Sequence, residues 1–279
     1  MPLGYRFGVD AAPSKHSQQP GGKAVRIGSV NYLNAKPLIH GLERDPRIEL
    51  ILDVPARLLE LLRTKQCDVA LLPVIDYQRL AGSRIVPAGG IGCDGATLTV
   101  RIFSPTPMEE IRTLACDVES HTSVALAQII LKQRCGVRPI LVDLNRVGEI
   151  PADSAVLLIG DKVITQPPEM RWQLDLGEAW RELTGMPFVF AVWTARGEAD
   201  LGDLPRRLEL AREAGLADLE TIVARHAQSH GWPAPLARKY LADHLKYDVG
   251  PAQMAAIELF HRLAHEHGLI SPPRGLEIY

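Results

Sequence analysis

Val25-Arg-Ile-Gly-Ser-Val-Asn-Tyr-Leu-Asn-Ala-Lys-Pro-Leu38 is the stretch that decides the fold. Val25, Ile27 and Val30 make a short apolar run of strand character, Asn31, Tyr32 and Asn34 follow as amide and phenol hydrogen-bonding groups, and Pro37 stands where a helix can begin. The pattern predicts a strand that hands polar side chains straight into a turn. In an open α/β sheet, loop side chains and helix N-termini converge at the carboxyl ends of the strands, and ligands bind there.

Outward from this turn, Leu38, Ile39 and Leu42 fit one helical face, which Pro46 closes before an apolar strand over 48–52. Pro55 suits the first turn of a second helix with Leu58, Leu59, Leu61 and Leu62 on its apolar side. A near-continuous apolar run over 68–74 then reads as a buried parallel strand, completing a β-α-β-α-β unit. Pro73 cannot donate to a sheet ladder, so the strand is expected to end there, with residues 74–77 forming a second loop at the same edge. Extended, glycine-rich text over 85–91 and 97–103, parted by Gly92-Cys-Asp-Gly95, has the look of a crossing between lobes.

A second unit follows: a brief helix over 108–111, a strand over 113–118, and the turn Glu119-Ser-His-Thr-Ser123 opening a helix with Val124, Leu126, Ala127, Ile130 and Leu131 as apolar positions. Ser120 or Thr122 suits its cap, and the same helix start offers N–H groups and partial positive charge to a carboxylate or phosphate. Buried strands are expected over 139–142 and 155–160, the latter ending at a third sheet edge marked by Gly160 and Asp161. A helix from Asp175, an aromatic-rich strand over 187–193, and helices over 204–214, 216–228, 235–245 and 250–267 complete the chain. The division expected is a disordered tail (1–24), a first lobe (25–96 with 188–279) and a second lobe (97–187), with a ligand cleft between the lobes.

A formal net charge of −2 gives no global field for nucleic acid, and no apolar run is long enough to enter a membrane as a span. The N-terminal residues lack the apolar segment of a signal peptide, which points to the cytoplasm. Cys67, Cys93, Cys116 and Cys135 are too widely spaced for a zinc or redox motif and read as reduced thiols. The pairs His226/His230 and His261/His265 each share a helical face, but two imidazoles leave a tetrahedral set incomplete, so both read as surface histidines. No Gly-x-Ser-x-Gly, dinucleotide fingerprint or Walker loop is present. The sequence carries no signal for an oligomeric state.

Several blocks together resemble the chorismate dehydratase family of the futalosine route to menaquinone, over about residues 25–270: Ser29-Val-Asn-Tyr-Leu-Asn-Ala-Lys-Pro-Leu38, Asp68-Val-Ala-Leu-Leu-Pro-Val-Ile-Asp-Tyr77, His121-Thr-Ser-Val-Ala-Leu126, Leu157-Leu-Ile-Gly-Asp161, and the run from Asp175 to Trp193. The resemblance implies an α/β, two-lobed type II periplasmic-binding-protein-like fold. It implies loss of water from chorismate, a dicarboxylate, to give 3-[(1-carboxyvinyl)oxy]benzoate, with no metal or organic cofactor. Asn34 would lie nearest the reacting groups, with Asn31 and Tyr32 on the same wall. Ser120, His121, Thr122 and Ser123 would hold one carboxylate, Pro73, Val74 and Ile75 the other end, and Gly160 and Asp161 the third edge. Asn34 also suits a plain Asx-type turn brace. Two departures stand out: His121 replaces the family's usual Arg, and residues 93–100 differ after Asp94-Gly95. Two other functions fit the same fold, a non-catalytic small-anion binder or sensor and the related enzyme that forms dihydroxy-naphthoate.

Overall fold

Strand β1 (Val25–Val30) forms from the apolar run of the opening stretch and sits inside a mixed six-stranded sheet. The structure, a computed structural model, describes residues 24–116, 120–144 and 153–279. Residues 1–23 of the expected tail, Asp117 and Val118 of the predicted strand, and Glu119 of the predicted turn lie outside the described residues.

In the first sheet β1 pairs in parallel with β2 (Ile48–Asp53) and β3 (Val69–Pro73). All of β3 is buried, as its unbroken apolar text requires, and it ends at Pro73 as predicted. Helix α1 (Pro55–Arg63) starts on its proline and buries Leu58, Leu59, Leu61 and Leu62. Residues 74–77 are not a loop but a single buried turn, α2 (Val74–Tyr77). The first part of the glycine-rich text forms one ten-residue strand, β4 (Arg84–Cys93), of the first sheet, and the crossing expected in this text comes directly after it. Gly90 and Gly92 are there because the next strand lies against them. A Cβ on Gly90 would overlap the Ala191 carbonyl oxygen, and one on Gly92 would lie 2.7 Å from that of Phe188.

The chain passes to a second, five-stranded sheet between Cys93 and β5 (Val100–Ser104). There β6 (Thr113–Cys116) pairs in parallel with β7 (Ile140–Asp143) and β8 (Ala155–Ile159), and β5 runs antiparallel to β8 and β9 (Trp172–Asp175). Helix α3 (His121–Cys135) covers one face, capped by Ser120. The strand over 139–142 was expected to be buried, but β7 is the sheet's edge and Ile140 is 71% exposed. After α4 (Lys162–Thr165) and α5 (Leu176–Thr184), β10 (Phe188–Ala195) returns antiparallel between β3 and β4 of the first sheet.

The remaining helices, α6 (Leu204–Ala217), α7 (Leu219–His226), α8 (Ala234–Lys239) and α9 (Pro251–Glu266), include no span long and apolar enough to cross a membrane, nor does any other described helix. Gly215 lets α6 lie directly on the opening segment, since a Cβ there would overlap the Pro37 carbonyl oxygen. That segment is a 3-10 turn, Leu33–Ile39, with Pro37 inside it instead of at its start. The predicted helix over 235–245 is α8 continued as a π-turn, Tyr240–His244, before the short strand β11 (Leu245–Lys246).

His261 is not at the surface: it is 1% exposed. Its Nε2–H donates to the Val74 carbonyl at 2.8 Å, and its Nδ1 accepts from Gln78 Nε2 at 2.8 Å. Its partner in sequence, His265, is exposed and bonds the Ile270 carbonyl instead. Periodicity placed both on one helix but could not say how far the helix is wrapped by α2 and the C-terminal segment.

Candidate active site

The strand ends of the two sheets face each other across a cleft, which with its open mouth encloses about 550 Å³. One wall comes from the first sheet: Val30, then Tyr32 and Asn34 from the opening turn, Leu71 and Pro73 of β3, and Phe190 and Ala191 of β10. The other comes from Thr97, Thr99 and Val100 at the entry to β5, Ser120 and Ser123 at the start of α3, and Ile159 and Gly160 at the end of β8. Tyr240, in the π-turn after α8, and Leu245, in β11, close the space. No lining residue among those described is Asp, Glu, His, Lys or Arg, so an anion here would meet neutral donors and the positive end of α3.

Of the residues singled out in the sequence, Tyr32, Asn34, Pro73, Ser120, Ser123 and Gly160 line this cleft. The other six do not. Asn31 is exposed, and its Oδ1 accepts from Lys36 Nζ at 2.8 Å. Val74 and Ile75 are buried beneath the wall, and the Ile75 N–H donates to Thr122 Oγ1 at 3.3 Å, which ties up that hydroxyl. His121 turns to the far side of α3, where its Nδ1 bonds the Asp76 carboxylate at 2.7 Å. Asp161 accepts from His230 Nδ1 and from Trp232 Nε1, each at 2.7 Å. Thr122, His121 and Asp161 therefore fasten one wall to the other, and His230 is a latch residue, not a surface histidine.

Within the cleft, Ser120 Oγ donates to Ser123 Oγ at 2.8 Å and also receives the Ser123 N–H. The Tyr240 hydroxyl lies 2.7 Å from Thr99 Oγ1, and Asn34 lines the same space. Burial holds the Tyr240 phenol above its ordinary pKa, against the lowering effect of Thr99 and Asn34 beside it, so it stays protonated at neutral pH. Asn34 Oδ1 is buried and has no partner among the described residues. A buried acceptor left open in a mainly apolar cleft is a place for a ligand donor.

Leu98 adopts a positive φ of 68°, sparsely populated for a residue with a Cβ. The Asp175 carboxylate holds this turn by accepting from the N–H groups of Thr97 at 2.9 Å and Leu98 at 2.7 Å while also capping α5. The turn sets Thr97 and Thr99 into the cleft together. Among the described residues no three of His, Cys, Asp and Glu converge as a metal site would require. All four cysteines are free, and burial pushes the Cys67 thiol up to about 12.

A sequence model of the family described as menaquinone biosynthesis matches residues 25–266. The chain belongs to that family. It is 30% identical over 237 residues to a chorismate dehydratase of Thermus thermophilus, covering 77% of this chain and 86% of that one. The crystal structure of an Archaeoglobus fulgidus protein superposes with a TM-score of 0.68 at 18% identity, covering 88% of this chain and 98% of that one. The periplasmic aliphatic sulphonate binding protein of Escherichia coli superposes at 0.61 with 16% identity, covering 93% and 95%. The fold of this menaquinone biosynthesis family member is thus periplasmic-binding-protein-like.

Thr97, Thr99, Phe190, Tyr240 and Leu245 were not among the residues the sequence singled out. Thr97-Leu-Thr99 did carry a signal, two hydroxyls at a spacing that puts them on one side of an extended chain. Tyr240 carried none, since nothing near it in sequence shows that its helix ends in a π-turn over the cleft.

Proposed function

We propose that the protein is a chorismate dehydratase, removing water from chorismate to give 3-[(1-carboxyvinyl)oxy]benzoate in the cytoplasm without metal or organic cofactor. The lobes 25–96 with 188–279 and 97–187 close on the substrate in this reading. The observation that carries it is the buried Asn34 Oδ1, without a partner among the described residues, in a cleft between two sheets whose opposite wall is a helix start. The 30% identity to the Thermus thermophilus chorismate dehydratase supplies the choice of substrate.

The reaction breaks a ring C–H bond and a C–O bond, and the departing proton and hydroxyl leave as water while the ring becomes aromatic. Aromatisation makes the step downhill, so the protein's task is to fix geometry and exclude solvent. Asn34 Oδ1 accepts a hydrogen bond from the substrate hydroxyl, Tyr32 shapes the same wall, and Ser120, Ser123 and the α3 N-terminal turn hold a carboxylate. Pro73 and Gly160 bound the ring. An amide is no base, and the described lining offers no carboxylate, imidazole or amine. The proton therefore passes to a carboxylate of the substrate itself or to water.

Purified protein incubated with chorismate and followed by chromatography tests this: the benzoate product should accumulate in molar excess over protein. A non-catalytic binder, which the likeness to a sulphonate binding protein favours, would shift the melting temperature and form no product.

A further inference from the structure

His121 opens α3 yet does not line the cleft; the hollow it does line is a separate one. That pocket lies on the far side of α3 and, with its open mouth, encloses about 470 Å³. It shares no lining residue with the cleft. Its apolar lining is Ile75, Val124, Ala125 and Leu269, and Gln128 adds an amide. Among the described residues lining it, only Arg79 and His121 are basic, and none is acidic.

One buried carboxylate anchors both basic side chains. Asp76, 0% exposed, accepts from Arg79 Nη1 at 2.8 Å and from His121 Nδ1 at 2.7 Å. An ionised carboxylate only accepts, so Nδ1 carries the proton and Nε2 is the free ring atom. Neither His121 Nε2 nor Arg79 Nη2 has a hydrogen-bond partner among the described residues, and the two side chains are 30% and 41% exposed. The pocket also shares Gln128 and Leu269 with a neighbouring hollow that bears Arg138 and His267, again with no Asp or Glu among its described lining. Two donors held at a fixed separation over an apolar surface match an anion that carries an apolar body.

We propose that this pocket is a second binding site, for a small carboxylate with an apolar body: Arg79 and His121 take the carboxylate, and Val124, Ala125 and Leu269 take the body. The site uses no group of the cleft, so it stands whether or not the proposed dehydration does. Asp76 holds both side chains by their inner nitrogens and leaves the outer guanidinium edge and Nε2 to the ligand. Arg79 donates at any pH. Nε2 donates only when it carries a second proton, so a carboxylate seated against it stabilises the imidazolium and binding takes up a proton. The titratable and charged groups that bear on His121 are Asp76 and Arg79 from α2 and the residues after it, with Arg138 and His267 further along the same face.

Benzoate is the probe, with benzamide as its uncharged counterpart and acetate as the same head without the body. The readout is the pair of Leu269 methyl resonances in a ¹³C–¹H spectrum, assigned by their loss in Leu269→Val; benzoate bound only in the cleft leaves them unmoved. Benzoate should shift them saturably, benzamide should not, and acetate should bind at least about tenfold more weakly for want of apolar area. Arg79→Gln should weaken benzoate by about tenfold, the scale of one charge-assisted hydrogen bond. Affinity in wild type should rise as pH falls from about 8 to about 6 and stay level in His121→Gln, whose amide can still donate to Asp76 and which serves if Arg79→Gln fails to fold. Leu269 methyls unmoved by benzoate, or moved alike by benzamide or acetate, overturn the proposal. So does an affinity unchanged in Arg79→Gln, or a pH dependence that persists in His121→Gln.

Discussion

Gly160 shows how finely single residues set the cleft. It has φ of +62°, and a Cβ there would meet the Tyr32 ring at 3.4 Å, an ordinary contact, so the left-handed backbone and not the space is what calls for glycine. Gly160→Ala should cost about 1–2 kcal/mol of stability from the left-handed conformation alone, with KM little changed. Denaturant unfolding and steady-state kinetics check the two effects, and a variant of native stability would show that the backbone here tolerates a side chain without strain. The residue-level reading from sequence found Tyr32, Asn34 and Gly160 because each lies where a strand ends, which periodicity locates. It assigned His121 and Asp161 to the ligand because they lie next to such ends. Sequence order does not say which side of the turn a side chain leaves from, and both leave toward the opposite wall.

At the scale of elements, the opening segment is held by its packing against α6, and Gly215→Ala tests that. The added methyl must push α6 off the Pro37 backbone, and a destabilisation of about 1–3 kcal/mol is expected, typical of overpacking. Equilibrium unfolding that matches wild type would mean the contact is slack. A second element-level effect comes from His261 on α9, which joins α2 through the Val74 carbonyl. Burial pushes its pKa down to about 4, against the hydrogen bond to Val74, which pulls it up. The unfolded chain holds a histidine near 6.5, so between pH 6.5 and 4 the unfolded state binds the extra proton and stability falls as pH falls. The contribution is fully present above pH 6.5 and amounts to something on the order of 3 kcal/mol lost by pH 4. Unfolding free energies across that window should show the loss in wild type and a flatter curve in His261→Gln; equal slopes would exclude His261 as the source. Neither Gly215 nor His261 is readable as special in the sequence, because the demand on each is made by a segment remote in the chain.

For the whole molecule, two sets of bonds span the walls: Ile75 N–H to Thr122 and Asp76 to His121 on one side, Asp161 to His230 and Trp232 on the other. Asp161→Ala should loosen the second set, enlarging the radius of gyration in X-ray scattering and lowering kcat/KM, with unchanged scattering counting against a closure latch. The βαβ text and the strand-end turns made the α/β class legible, since near-continuous apolar strands such as β3 occur where both faces of a sheet are covered. What sequence could not supply was the meeting of Asn34, Thr99 and Tyr240, which depends on the chain crossing to the second sheet and returning. The central claim is that Asn34 acts on chorismate in that meeting place. Its most direct test is the rate of benzoate formation from chorismate by wild type and by Asn34→Leu, both shown to be folded by their melting curves. The account predicts multiple turnovers by wild type and a kcat lower by about 10²–10³ in Asn34→Leu with KM little changed, as for loss of a hydrogen bond made in the transition state; near-native turnover by Asn34→Leu would contradict it.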